Sequence, residues 1–384
     1  MAANKPSGKP TNNKPVNKPT NKPSYATIRN QHVIEATRSI VSELPNAAFD
    51  YMLSIADTMQ PLTRYAYAYD LRLFFHYLQK ENPRFANKDL ITWTDDDFRL
   101  ITQRDVSLFM DYLTLYFNEE DLMTTNQELG KQRKFYSVRA FFKWLFKQGR
   151  IPSDVTALVD APKRHEKPIL RLDIDEVNKM LKTVESGENL SAQQQKFNKA
   201  TSVRDKAIIL LFLGTGIRVS ELVGLNIEDM NLENASFLVT RKGGNQAILY
   251  LPEEIIPALN EYMELRNHIE TVDEDDPALF LSLQRRRITV RSVENMVKKY
   301  ALAAAPLKKR ISPHKLRSTF GTNLYNETGD IYLVADVLGH SDINTTRRHY
   351  AAMNEDRRKY AATRVKIGSE TPASTEKNDE NGPK

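Results

Sequence analysis

A mainly α protein of two folded domains, with one small antiparallel sheet, is the fold class this sequence predicts, on three observations. Its 384 residues exceed what one ordinary domain uses. Apolar and aromatic residues recur at helical spacing on both sides of a proline-bearing stretch at 151–170. A single hairpin signal stands out, SFLVT and AILYLP flanking the glycine-tipped RKGGN.

Residues 1–24 repeat Lys-Pro among Asn, Thr and Ser with almost nothing apolar to bury, which predicts a disordered basic tail. Simple solvation and weak contact with phosphate both remain open for it. From 30 to 150 the period is helical. Tyr65, Tyr69 and Leu73 recur four apart and Leu71, Phe75 and Leu78 fall at i, i+4 and i+7, marking one long helix after a break at Pro61. Asp95 to Asp97 and Thr102 are candidate caps for short helices, and ITQRDVSLFMDYLTLYF (101–117) reads as a further helix. The last helix, 131–149, sets Lys131, Arg133, Lys134, Arg139, Lys143 and Lys147 around an aromatic stripe and stops at Gly149. A compact bundle with a basic surface follows. Its aromatic rings read mostly as core, since base stacking needs exposed rings.

Residues 151–170 hold three prolines and the basic cluster Lys163, Arg164 and Lys167, and read as a linker that lets two domains take opposite faces of a duplex. The second domain, 171–366, opens with a helix at 173–184, a polar loop or insertion at 185–200 and a helix at 203–213. A GTGIR turn then leads into a short helix at SELVGLNIEDM. Strands at 236–240 and 247–252 flank the hairpin turn, helices dominate to Tyr360, and 367–384 form a second disordered polar tail.

Lys and Arg number 55 against 49 Asp and Glu, a net +6 that favours an anionic partner. With no cysteine, disulfides, cysteine nucleophiles and thiolate metal sites are excluded, which fits a reducing cytoplasm. The longest apolar run, AIILLFLGTGI, is too short to span a bilayer, and no charged-then-apolar leader opens the chain. A soluble intracellular protein is expected.

Six residues form the chemical constellation: Arg218, Lys242, His314, Arg317, His340 and Tyr350. Two arginines can grip the non-bridging oxygens of a phosphodiester, two histidines can hydrogen-bond or move protons, and a tyrosine hydroxyl can attack phosphorus. Each has a plainer reading by itself. Arg218 follows a tight turn and could simply pair with a carboxylate. The turn is no nucleotide cradle, since neither GK[ST] nor GxGxxG accompanies it. His314 and Arg317 are three apart on a helix that Pro313 favours starting, so they share a face. His340 follows Leu338-Gly339 and could cap a helix C-terminus. Tyr350 has a hydroxyl of solution pKa ~10, which the neighbouring Arg347, Arg348 and His349 would shift toward phenolate. Lys242, at the hairpin tip, could protonate a leaving oxygen or merely solvate the turn, and Arg241 beside it competes for the role.

In order and spacing, GTGIRVSEL, RKGG, HKLRSTF, LGHSD and TTRRHY resemble the tyrosine site-specific recombinases, the family of Cre, phage integrases and the Xer proteins, from about Leu44 to Tyr360. The resemblance implies a two-domain DNA clamp, a helical (SAM-like) core-binding domain at 30–150 joined to a mostly helical catalytic domain. It casts Arg218, Lys242, His314, Arg317 and His340 as activating residues and Tyr350 as nucleophile. Ser318 departs from the histidine that many members carry there, and no catalytic role is touched. Within the family the chain most resembles single-protein Xer recombinases of the XerS kind, which resolve chromosome dimers; integrases of phages and conjugative elements share the same motifs.

What the resemblance implies is attack by Tyr350, a 3′-phosphotyrosyl intermediate and a free 5′-hydroxyl, without ATP, metal or any other cofactor. Double-stranded DNA with paired inverted half-sites would be the partner, bound by a homotetramer on two synapsed sites in the bacterial cytoplasm, nucleoid-associated and away from membranes. An accessory or DNA-translocase protein stays open as a further partner. The segment Asn354 to Gly368 would dock on a neighbouring protomer. Relaxation of one duplex in the manner of a type IB topoisomerase, and non-catalytic DNA-binding regulation, are the competing readings.

Overall fold

The computed structural model describes residues 25–117, 122–162, 170–241, 244–273, 276–308, 311–340, 342, 343 and 346. They fall into two compact units that divide between residues 166 and 167.

The first unit is a helical bundle. It comprises α1 (Tyr25–Ser42), α2 (Asn46–Ser54), α3 (Pro61–Glu81), α4 (Asp95–Leu100), α5 (Gln103–Tyr112) and α6 (Glu128–Lys147), with a two-stranded ribbon of β1 (Tyr116–Phe117) and β2 (Met123–Thr124) between α5 and α6. Pro61 is the first residue of α3 rather than a break before it, because a proline costs no hydrogen bond at that position. Thr102 caps α5 reciprocally with Asp105, its N–H donating to Asp105 Oδ2 at 2.7 Å. For α4 the cap is Thr94, one residue before the acidic run, and Asp97 accepts from its N–H at 2.7 Å.

The helix expected over 101–117 ends at Tyr112. Asn126 Nδ2 donates to Leu113 O at 3.0 Å and closes that helix end, and Tyr116 and Phe117 pair instead with Thr124 and Met123. Nothing in the local period distinguished these outcomes.

Rings dominate the core. Phe75, fully buried, lies 5.8 Å from Phe141, 5.7 Å from Trp93 and 6.1 Å from Phe98, mostly edge to face. The basic residues of α6 are less of a surface than the sequence suggested. Lys134 is buried, donates to Asn126 Oδ1 at 2.9 Å, and has its pKa lowered by burial. Arg139 donates to the carbonyls of Thr156 and Val159 at 2.8 and 2.7 Å and covers the Phe135 ring. Arg133 and Ser137 both bond Asp70, a buried carboxyl whose pKa desolvation raises. These donors tie α6 to α3 and to the segment after it, whereas Lys143 and Lys147 are exposed. Ile151 and Val159 belong to the same core, so the folded unit continues past Arg150 into the stretch read as linker.

The second unit begins with α7 (Ile174–Ser186) and α8 (Ala192–Thr215). Most of the polar stretch at 185–200 is therefore the first two turns of α8. Ser191 and Gln194 form a reciprocal cap there, Ser191 N–H to Gln194 Oε1 at 3.0 Å, so the polar residues open the helix rather than a loop. After α9 (Val219–Gly224) comes a three-stranded antiparallel sheet, β3 (Met230–Asn231), β4 (Ser236–Thr240) and β5 (Gln246–Tyr250), with Phe237 opposite Leu249. Helices α10 (Ile256–Asn267), α11 (Val290–Ala304), α12 (Pro313–Thr328) and α13 (Ile331–Leu338) complete the described part. Buried Asp205 on α8 accepts from Thr201 and from the Tyr300 hydroxyl at 2.9 and 2.8 Å, clasping α11 to α8. No helix of the described residues is long and apolar enough to cross a membrane.

Phe141 touches Tyr51, Phe75, Phe98, Phe142 and Trp144. Phe141→Ala is expected to cost ~3–5 kcal/mol. Both tryptophans, Trp93 and Trp144, lie in this unit, so urea unfolding followed by their fluorescence reads it alone.

Candidate active site

Two helix ends and two arginines build the centre of the second unit. Helix α8 ends at Gly216 and α13 at Gly339, each in the left-handed conformation, with φ of 62° and 58°. Arg317, on the second turn of α12 and 5% exposed, bridges them: its Nη1 donates to Gly216 O and its Nη2 to Leu338 O. Arg218, N-cap of α9, donates Nη2 to Gly339 O at 2.7 Å and Nη1 to Glu221 Oε1 at 2.7 Å. The two guanidiniums, from segments far apart in sequence, thus meet on consecutive carbonyls directly before His340.

Glu221 is nearly buried, and it also accepts from the Arg218 N–H at 2.9 Å. A carboxylate held this way fixes both ends of the arginine, backbone and head, leaving the stem no freedom to swing away. Arg218 itself is about one third exposed, which leaves its head open to a ligand. His314, exposed, precedes Arg317 by three residues on α12 and so lies one turn away on the same face. The His340 N–H donates to Ala335 O at 2.9 Å, and its Nδ1 lies 2.7 Å from Thr346 Oγ1.

The structure therefore brings Arg218, Arg317 and His340 together, with His314 beside them. Lys242 and Tyr350 lie outside the described residues. Their flanks do not: Arg241 donates to Val337 O at 3.2 Å in the last turn of α13, and Thr346, four residues before Tyr350, is the partner of His340. Among other tyrosines nearby, Tyr325 lies eight residues after Arg317 on α12, ~12 Å along the helix axis. Tyr332 opens α13, ~9 Å from Leu338 by the same rise. The Tyr325 side chain packs against the cluster of Val334 and Leu338, and Tyr332 is exposed.

The sequence reading missed Glu221, whose i, i+3 spacing from Arg218 was visible, and Thr346, whose contact with His340 was not; it named Arg241 as a rival of Lys242 and did not foresee its reach to α13. No group of three or more His, Cys, Asp or Glu able to hold a metal occurs among the described residues.

Two arginine heads on the carbonyls of a helix C-terminus, with His340 the next residue and His314 one turn from Arg317, suit an anion whose charge grows during reaction. Comparison with known proteins agrees with that chemistry. The model of the phage integrase family matches residues 171–357. A protein named tyrosine recombinase XerC, from Caldanaerobacter subterraneus subsp. tengcongensis, is 34% identical over 299 residues, covering 77% of this chain and 79% of the relative. A second so named, from Pelobacter propionicus, is 30% identical over 302 residues, covering 79% and 88%. Among solved structures, the XerH site-specific recombinase bound to a palindromic difH substrate superposes with a TM-score of 0.59 at 20% identity, over 87% of this chain and 94% of that one. The Tn1549 transposon integrase in complex with a circular intermediate DNA gives 0.60 at 18%, over 83% and 99%. At such identity these two likenesses are likenesses of fold.

Gly216 has no room for a side chain, since a Cβ there would lie 2.8 Å from Leu338 Cδ2 and closer still to Phe320 Cδ1. Gly216→Ala is expected to cost ~1–2 kcal/mol for the left-handed backbone and ~1–3 kcal/mol for overpacking. Thermal unfolding measures that loss, and DNA cleavage should fall further than DNA binding because the bridge of Arg317 is displaced.

Proposed function

Since this chain belongs to the phage integrase family, and is a site-specific tyrosine recombinase that cleaves and rejoins DNA, we propose that Tyr350 is its nucleophile and that Arg218, Arg317, His314, His340 and Lys242 activate the scissile phosphate. The convergence of Arg218 and Arg317 on the carbonyls before His340 is the observation that carries the assignment.

The Tyr350 oxygen attacks phosphorus in line and gives up its proton with the assistance of His314. Charge gathering on the equatorial oxygens is met by Arg218 and Arg317, and His340 donates a hydrogen bond to one of them. As the bond from phosphorus to the 5′-oxygen breaks, Lys242 gives that oxygen a proton. A 3′-phosphotyrosyl link and a 5′-hydroxyl result, and attack by a 5′-hydroxyl of the partner strand reverses the step. The number of phosphoester bonds is unchanged, so no ATP is consumed.

The substrate in this reading is duplex DNA with paired inverted half-sites, held by a homotetramer on two synapsed sites in the bacterial cytoplasm. The similarity to proteins named XerC supports Xer-type resolution of chromosome or plasmid dimers, with an accessory or DNA-translocase protein as a further partner. Integration of a mobile element is the alternative, supported by the fold it shares with the Tn1549 integrase.

Tyr350→Phe is expected to abolish covalent adducts on a nicked suicide substrate while leaving site binding nearly unchanged, since no phosphate-gripping charge is lost. An adduct with the Phe variant would move the nucleophile to another tyrosine, Tyr360 first. Truncation after Met353 removes the charged segment Asn354 to Gly368 with its sparse apolar series Tyr360, Ala361 and Val365, which we assign to a neighbouring protomer. Binding to one half-site should survive, whereas cooperative filling of the second half-site and strand exchange should weaken in a gel-shift titration and a recombination assay. Unaltered cooperativity and recombination would sink the intersubunit role.

A further inference from the structure

The residue before Lys242 anchors the β4–β5 hairpin to the end of α13. In the hairpin turn the Arg241 N–H donates to Asn245 O at 2.7 Å and its carbonyl accepts from Gly244 N at 3.1 Å. Its side chain leaves the hairpin altogether. Nη2 donates to Val337 O at 3.2 Å, and the head lies against Gly339, where a Cβ would sit 2.9 Å from Nε and closer still to Nη1. A glycine in the left-handed conformation is what lets the guanidinium approach the backbone this closely. One side chain thereby joins two chain segments whose next residues are Lys242 and His340.

The chemistry of the contact suits arginine. The end of a helix carries partial negative charge on its last carbonyls, and a planar, permanently charged head can both donate to one carbonyl and lie against the glycine after it. A lysine at 241 would keep the charge and lose the planar fork.

We propose that Arg241 is a positioning residue for the general acid: its anchorage on Val337 and Gly339 fixes where the hairpin tip leaves the sheet, and so where Lys242 meets the leaving oxygen. This rests on the assignment of Lys242 as general acid made above. The plain alternative is that Arg241 only stabilises the end of α13, in which case its loss would slow every substrate alike.

The two differ on a substrate whose leaving atom is sulfur. With a 5′-oxygen the departing alkoxide takes a proton from the Lys242 ammonium as its bond to phosphorus breaks, whereas a 5′-thiolate departs without one. Cleavage rates are measured on nicked duplexes carrying either atom, for the full chain and for Arg241→Ala, Arg241→Lys and Lys242→Ala, with half-site binding as the check on folding. Arg241→Ala should slow cleavage at oxygen at least ~10-fold, and by no more than the ~10²–10⁴ a general acid supplies, and should return close to the parental rate at sulfur. Arg241→Lys should fall between. Equal slowing at oxygen and sulfur by Arg241→Ala, with Lys242→Ala rescued by sulfur, overturns the positioning role alone. Lys242→Ala unrescued by sulfur overturns the general-acid assignment and this inference with it. Loss of half-site binding by Arg241→Ala also overturns the positioning role, since the residue would then be structural.

Discussion

Two helix C-termini converge in the second unit, and the buried head of Arg317 between them is the constraint on which the rest depends. The ends of α8 and α13 each present partial negative charge through their last carbonyls, and facing ends of like sign repel unless a cation intervenes. Arg317 intervenes, taking Gly216 O with one nitrogen and Leu338 O with another. Both helices must stop in left-handed glycines for those carbonyls to turn inward, and any side chain at either glycine meets a neighbour. The turn after α8 then delivers Arg218 beside Arg317, and the turn after α13 delivers His340.

The same arrangement explains how a site built from arginines can serve phosphoryl transfer. Arg218 is clamped by Glu221 and Gly339, so its charge is fixed in direction before a ligand arrives, and no reorganisation is needed when charge develops on phosphorus. His340, set against Thr346, ties this centre to the segment that leads to Tyr350.

Much of this was legible in the sequence because it is local. The long helix α3, the stop at Gly149, the hairpin of β4 and β5, and the helix beginning at Pro313 all follow from period, caps and turn residues within a few positions. The order of Arg218, His314, Arg317 and His340 pointed to one site since their residue types share one chemistry. What escaped was decided at a distance or by competition between equal local options. The helix at 101–117 gave way to a ribbon because Asn126 closes it from thirteen residues on. Lys134 and Arg139 looked like surface charge because their partners, Asn126 and the carbonyls of Thr156 and Val159, lie off the helix. The reach of Arg241 to Val337 spans 96 residues and leaves no trace in either segment. The polar run before α8 was different: its cap, Ser191 with Gln194, was readable, and polarity was mistaken for irregularity.

In this mechanism the guanidinium of Arg218, clamped beside Arg317, neutralises the scissile phosphate. That neutralisation is tested most directly by cleavage of a duplex whose scissile phosphodiester is replaced by an uncharged methylphosphonate. Arg218→Ala, which leaves the Arg317 bridge in place, should cleave the ordinary phosphodiester poorly and recover most of the lost rate on the methylphosphonate, because that linkage has no charge to neutralise. An Arg218→Ala variant equally impaired on both substrates would contradict the account and leave Arg218 as a structural clamp on the end of α13.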